Sequence, residues 1–219
     1  MLWQKTRMRA YSLQRVDEYF SDRADAAAHE TDAELASCLA SSDLAAAARL
    51  YDRYVRNVRG MVHRLLGPDA ELDDVVQDVF VTAISSVDKL REPALLKSWL
   101  LGIAVGKARG NLRARWRRRW LSFLPTDELP DRPEPARDVY ADVAQEVGAV
   151  LDTLRAEERI ALLLCRLEGL SLEEGARASE MSVSTFKRRL ARGQARFMAS
   201  AKRRPALAEW LDRSVSDQH

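Results

Sequence analysis

The sequence predicts an all-α fold of two small helical domains joined by a proline-rich linker, the C-terminal one containing a helix-turn-helix. Three observations predict it. Apolar residues recur at three- and four-residue spacing, while alternation of period two is nearly absent. Gly and Pro are sparse, 9 and 7 of 219 residues, and Ala, Leu, Arg and Glu are abundant. Four of the seven prolines, Pro125, Pro130, Pro133 and Pro135, fall within eleven residues. Proline lacks a backbone donor and clashes inside a helix, so 122–137 reads as an extended linker. The domains are then 31–121 and 138–198, with an N-terminal extension at 1–30 and a tail at 199–219.

In chain order, Ala33–Ala40 reads as a short helix. Asp43–Leu66 begins on a capping Asp and stops at Gly67-Pro68. Its Leu44, Ala47, Ala48, Tyr51, Tyr54, Val55, Val58 and Val62 recur at helical spacing. The next helix, Asp69–Val87, has Leu72, Val75, Val76, Val79, Phe80, Ala83 and Ile84 on its apolar side. Pro93 separates it from a helix over Ala94–Trp120, apolar in its first half and basic in its second. Beyond the linker come Val139–Leu154 and Ala156–Leu167. Ser171 with Glu174 forms a capping box for another helix, which breaks at Ser179–Met181. Ser182 caps the last helix, which carries Lys187, Arg188, Arg189, Arg192 and Arg196. Ser171–Phe197 is thus laid out as a helix-turn-helix whose second helix enters a DNA groove. In the tail, ALAEWLDRSV reads as a short helix.

Composition narrows the function. Hydrophobic residues are 47% and charged residues 31%, a globular balance with ample core material. Net charge is only +2, so nucleic-acid affinity must come from local clusters. No run of 18 apolar residues occurs, and the N-terminus lacks an apolar stretch after its basic residues. Neither a membrane contact nor a secretory signal is expected. Two cysteines, Cys38 and Cys165, imply no disulfide framework, are read as buried free thiols and fit a cytoplasmic location. His29, His63 and His219 are scattered, no residue set has metal-ligand spacing, and no Gly-rich phosphate loop is present. The expectation is a non-enzyme with no catalytic residues, metal, cofactor or small-molecule substrate.

Two charge clusters stand out. Lys107, Arg109, Arg113, Arg115, Arg117, Arg118 and Arg119 place seven cations in thirteen residues, interleaved with Trp116 and followed by Trp120. They read either as a solvated helix end favoured by the dipole or as a phosphate-binding surface. The tryptophans read as core packing or as stacking platforms for unpaired bases. Asp69, Glu71, Asp73, Asp74 and Asp78 crowd the start of one helix. N-terminal dipole matching explains part of this; a dock for a basic protein is the other reading.

Taken in order, these parts resemble a two-domain bacterial sigma factor of the extracytoplasmic-function group. DDVVQDVFVTA, Asp73–Ala83, resembles the helix by which these factors dock on the clamp helices of RNA polymerase. SWLLGIAVGKARGNLRARWRRR, Ser98–Arg119, resembles the promoter-melting and minus-ten-reading helix. Leu151–Phe197 resembles the domain that reads the minus-thirty-five element. The resemblance spans 44–120 and 139–198. It implies a transcription initiation factor that binds core RNA polymerase and directs it to promoter DNA. A polymerase-independent helix-turn-helix regulator is the alternative. It also implies polymerase contacts at Asp73, Asp74, Gln77, Asp78 and Phe80. Melting and minus-ten contacts fall on Lys107, Arg109, Arg113, Arg115, Trp116 and Arg117. Recognition-helix contacts fall on Ser182, Ser184, Thr185, Lys187, Arg188, Arg189 and Arg192. Control by an anti-sigma factor wedged between the domains is a further implication. The chain departs from the family pattern at Val105 and Gly106, where Arg-Asn is usual, and at Gly110, where Asp is frequent. Gly175 replaces a bulky aliphatic, and Ser179-Glu180 replaces a Leu-Gly turn. The first helix of the pair is therefore expected to pack loosely, and the promoter to be unusual.

Overall fold

The computed structural model describes residues 30–67, 71–121, 139–204 and 207. Every regular element among them is helical: α1 Asp32–Ala40, α2 Leu44–Leu66, α3 Leu72–Ser85, α4 Leu96–Leu121, α5 Val139–Asp152, α6 Ala156–Leu162, α7 Leu172–Ala178 and α8 Val183–Ala201. The all-α, two-domain expectation holds, α1–α4 forming the first domain and α5–α8 the second. The linker, the extension up to residue 29 and most of the tail lie outside the described residues.

Local chemistry sets the helix ends. Thr31 and Glu34 form a capping box at α1, and Asp43 caps α2 by accepting from the Ala45 N–H at 2.9 Å. Gly67 ends α2 at φ +77°, a conformation glycine reaches without strain. Several boundaries differ from the sequence reading: the helix expected over Asp69–Val87 is Leu72–Ser85, with Val87 in a separate 3₁₀ turn at Val87–Lys89, and the one expected over Val139–Leu154 ends at Asp152. A 3₁₀ turn at Pro93–Leu95 takes the residues before α4, because proline fits a first turn but not a helix interior. The helix begun at Ala156 becomes a π segment over Leu163–Leu167.

At α7 the Ser171 hydroxyl accepts from the Glu174 N–H at 3.2 Å, and the Glu174 carboxylate accepts from the Ser171 N–H at 2.8 Å. The backbone bond from Ser171, then its hydroxyl, hold the Glu174 pKa below the usual glutamate value. A lowered folded pKa means the contribution is complete above the unfolded value and is lost as pH falls through the folded one. Glu174→Ala is expected to lower stability by about 1 kcal/mol at neutral pH. In thermal melts the gap from wild type should close in acid; a gap that persisted would discount the carboxylate.

The first domain is a three-helix core of α2, α3 and α4 with α1 laid across it. Val58, Met61, Val62, Val79, Leu100 and Ala104 are fully buried there. Arg49 and Arg53 tie Glu30 to α2, and Tyr54 donates to Asp32. Burial, then the Asp32 carboxylate, push the Tyr54 hydroxyl pKa upward. Cys38 and Cys165 are free thiols and only half buried, short of the full burial expected. Burial raises the Cys165 pKa.

The second domain packs α6, α7 and α5 around α8, with Phe186 at the centre and fully buried. Its departures from the family pattern have a packing reason. A Cβ on Gly175 would stand 2.4 Å from Cζ of Phe186, so the missing side chain is replaced by that ring. The helix therefore packs tightly, correcting the loose packing expected. Ser179 is buried, its hydroxyl donating to the Gly175 carbonyl at 2.7 Å. Glu180 takes the left-handed conformation, φ +55°, that a glycine would adopt freely.

The two domains do not stand apart as separate blocks. Their buried residues form one continuous cluster, and α4 packs along α7. A Cβ on Gly102 of α4 would meet the Ala178 Cα and carbonyl oxygen of α7 at 3.2 Å. Asn57 donates to Glu168 at 2.7 Å, and Lys97 donates to the Glu168 carbonyl at 2.6 Å with its carboxylate 3.5 Å away. Arg177 pairs with Glu92 at 3.1 Å, and Arg159 donates to the Arg64 carbonyl at 3.3 Å.

Candidate polymerase and DNA interfaces

On α3, Asp73, Asp74, Gln77 and Asp78 are exposed. One-turn spacing continues this face through Val81 and Ile84, both exposed, beside the exposed Tyr51 of α2. Asp73 pairs with Arg59, and Asp78 lies 3.7 Å from Lys107. Phe80, included in the expected polymerase contacts, is buried at 4% exposure, its ring centroid 4.9 Å from that of Tyr51. It supports the face from beneath instead of presenting a contact. The exposed apolar residues Val81 and Ile84 were missed because helical spacing also assigns Ile84 to the core.

The basic half of α4 is more committed than its sequence suggests. Arg109 donates to the Glu157 carboxylate at 2.6 Å and to the Ser179 carbonyl at 3.1 Å, both on the second domain. Its Nε is buried without a partner. Lys107 faces Asp78, whereas Arg113 is exposed. Arg115, Trp116 and Arg117 lie on the helix backbone, but their side chains are outside the described residues. Trp99 is half buried against the core, which fits packing.

On α8, Ser184, Lys187, Arg188 and Arg192 are exposed, and the three cations have no ion pair among the described residues. Ser182 is a cap: its hydroxyl accepts from the Thr185 N–H at 3.3 Å and lies 3.0 Å from the Thr185 hydroxyl. Thr185 and Arg189 are half buried, with the Arg189 Nε unpartnered. Arg196 turns inward to Glu158 at 2.7 Å. Phosphates of a groove would therefore meet the strip Lys187–Arg188–Arg192 first.

No group of His, Cys, Asp and Glu among the described residues is placed to hold a metal ion. No helix among them is long and apolar enough to cross a membrane.

Comparison with known proteins agrees with this layout. Residues 50–118 match Sigma-70 region 2, and 144–196 match Sigma-70, region 4. Together the matches span more than half of the chain. The RNA polymerase sigma factor NccH of Alcaligenes xylosoxydans xylosoxydans is 29% identical over 173 residues, covering 77% of this chain and 93% of that protein. The ECF RNA polymerase sigma-E factor of Escherichia coli K12 is 29% identical over 174 residues, covering 75% and 91%. Among solved structures, CnrH in complex with the cytosolic domain of CnrY superposes with TM-score 0.58 at 26% identity, over 78% of this chain and 96% of that one. The sigma factor RpoE of Bartonella quintana, in complex with the anti-sigma factor NepR, shares the fold at 23% identity and TM-score 0.58. Both sigma-70 regions occur here in their family order, on the helices that carry the acidic and basic faces: the chain belongs to the extracytoplasmic-function group of RNA polymerase sigma factors.

Proposed function

We propose that the chain docks on core RNA polymerase through the exposed face of α3, with Asp74, Gln77 and Asp78 at its centre. As a sigma factor it directs polymerase to promoters; in our reading α4 works at the melted segment and α8 reads the upstream element through Lys187, Arg188 and Arg192. The observation that carries the reading is the pairing, in one chain, of an exposed acidic-apolar helix with an exposed cation strip that has no ion pair among the described residues. A polymerase-independent regulator has no use for the first of these. The factor itself catalyses no reaction and works where polymerase and chromosome are, in the cytoplasm. An anti-sigma partner is supported by the two neighbouring structures, each solved with such a complex or a cytosolic partner domain.

Two variants test the assignment. Asp74→Lys with Asp78→Lys should weaken core-polymerase binding at least about tenfold by removing charge complementarity. Unchanged binding would remove α3 as the docking face. Lys187→Ala with Arg188→Ala should weaken duplex binding across all sequences and lower the salt slope by about 1 for each phosphate no longer neutralised. Weakening confined to one base position would instead make them base readers.

A further inference from the structure

We propose that the exposed acidic-apolar face of α3 is covered by the chain's own N-terminal segment, residues 1–16, whenever no other protein holds it. The inference goes beyond the docking assignment above: it gives that face a second occupant, and it stands whether or not polymerase is the first.

The face is chemically mixed along its length. Asp74 and Asp78 lie toward one end, and Asp74 has no ion pair among the described residues. Val81 and Ile84 lie toward the other, 57% and 42% exposed, with Tyr51 of α2 47% exposed beside them. Large apolar side chains grouped next to carboxylates call for an occupant that is basic and apolar together.

Three long stretches of the chain lie outside the described residues, and charge selects one of them. The linker 122–138 holds Asp127, Glu128, Asp131, Glu134 and Asp138 against Arg132 and Arg137, a net of −3. The tail beyond Leu207 holds Glu209, Asp212 and Asp217 against Arg213, a net of −2, and Leu207 itself is buried with Val150 and Ala201 of the second domain. Asp74 and Asp78 would repel both. Residues 1–16 instead carry Lys5, Arg7, Arg9 and Arg15 and no acid. Trp3, Met8, Tyr11 and Leu13 are interleaved with those cations.

The point of attachment fits. Glu30 pairs with Arg49 and Arg53, each at 3.2 Å, on the helix that also carries Tyr51. Residues 17–29 reach about 40 Å when extended. Packed helices lie only about 10 Å apart, and α3 is about 21 Å long. A tether of this kind holds the segment near its target at about millimolar effective concentration. A contact with Kd of about 0.1 mM is then about nine-tenths formed, although it would be negligible between separate chains at micromolar concentration.

The test is zero-length coupling with a carbodiimide, which joins an amine to a carboxylate in contact with it and takes up the water released. The full chain is used at micromolar concentration, and linked peptides are mapped by mass spectrometry. Lys5 is the only lysine before Lys89, so its linkages are unambiguous. Lys107, 3.7 Å from Asp78, supplies the internal reference. An amide from Lys5 to Asp74 or Asp78 is expected in the monomer. Arg7→Ser with Arg9→Ser, and separately Val81→Ser with Ile84→Ser, leave the reacting groups in place. Each pair, weakening the contact about tenfold, should roughly halve the Lys5 yield, and all four changes together should bring it to about a tenth. Val81 and Ile84 are exposed, so far-UV helicity should hold; should serine lower it, alanine, a stronger helix former, takes its place. Absence of the Lys5 amide while the Lys107 reference forms would overturn the proposal. So would a Lys5 yield that no variant moves, or one confined to covalent dimers, which would make a second copy the occupant. Core polymerase, when added, should suppress the Lys5 linkage. A linkage that persisted with polymerase bound would leave the cover demonstrated and remove α3 as the polymerase face, so the two readings fail separately.

Discussion

Gly175→Leu should unfold the second domain under conditions where wild type is stable. A Cβ there stands 2.4 Å from Cζ and 2.7 Å from Cε1 of Phe186. That ring is fully buried, so it has no solvent side into which to swing. Overpacking a filled core is destabilising by about 1–3 kcal/mol. Leucine adds three more carbons to the clash, which puts the effect at about 3 kcal/mol or more, a large share of a domain's margin. Phe186→Ala alone loses about 3–5 kcal/mol by leaving a cavity at the centre of α6–α8. Combined, the two changes fill one another's defect, and a favourable coupling of about 0.5–3 kcal/mol is expected. Thermal unfolding of the four species of this cycle checks it. Additive losses, or a Gly175→Leu melt superimposable on wild type, would show that the ring yields.

The second large effect is expected at Arg196. Glu158 is 0% exposed, its Oε2 accepting from Arg196 at 2.7 Å and its Oε1 without a partner. A backbone approach seals the site, since a Cβ on Gly193 would lie 2.8 Å from the Glu158 carbonyl oxygen. Arg196→Ala leaves a carboxylate in the core with no cation. Breaking a fully buried pair is destabilising by about 3–5 kcal/mol; Arg196 is half exposed, so about 2–3 kcal/mol is expected. The thermal midpoint should fall by about 4–12 °C for a chain of this size. Adding Glu158→Gln removes the stranded charge and should recover part of the loss. No recovery would mean that Arg196 acts through its aliphatic stem.

Those two sites show what could be read from the chain and what could not. The helices of the first domain were legible because Val58, Val62, Val75, Val76 and Val79 repeat at helical spacing and all are buried. The capping box at Ser171 was legible as local chemistry, since both of its partners lie within three residues. Gly175 looked like a weakness because its compensating ring lies eleven residues away, on another helix. Arg196 looked like one more cation on a DNA-facing helix, and Arg109 like one of a solvent-exposed or phosphate-facing run. Each is instead turned to a glutamate on α6, Arg196 to Glu158 and Arg109 to Glu157. Charge type is visible in sequence, but the direction in which a charge points depends on helix phase and on the packing of distant segments. The contact between domains was hidden for the same reason: its members include Glu168, Lys97, Asn57, Arg109, Arg159, Arg177 and two small residues, all distant in sequence from their partners.

The π segment at Leu163–Leu167 makes that hidden contact a matter of counting. The Glu168 N–H bonds to the carbonyl five residues back, at 3.0 Å, where an α-helix would bond four back. One residue on an α-helix corresponds to about 100° of azimuth. The widened turn therefore acts as a phase adjuster: residues before it keep their apolar side in the core, and the residue after it is rotated onto its neighbour. Deleting a single leucine within 163–167 would preserve composition, hydrophobicity and helix length almost unchanged, yet swing position 168 about a quarter-turn away from Lys97. The mutual setting of the two halves is thus written in the parity of one short segment, where substitution scans that conserve length would never find it.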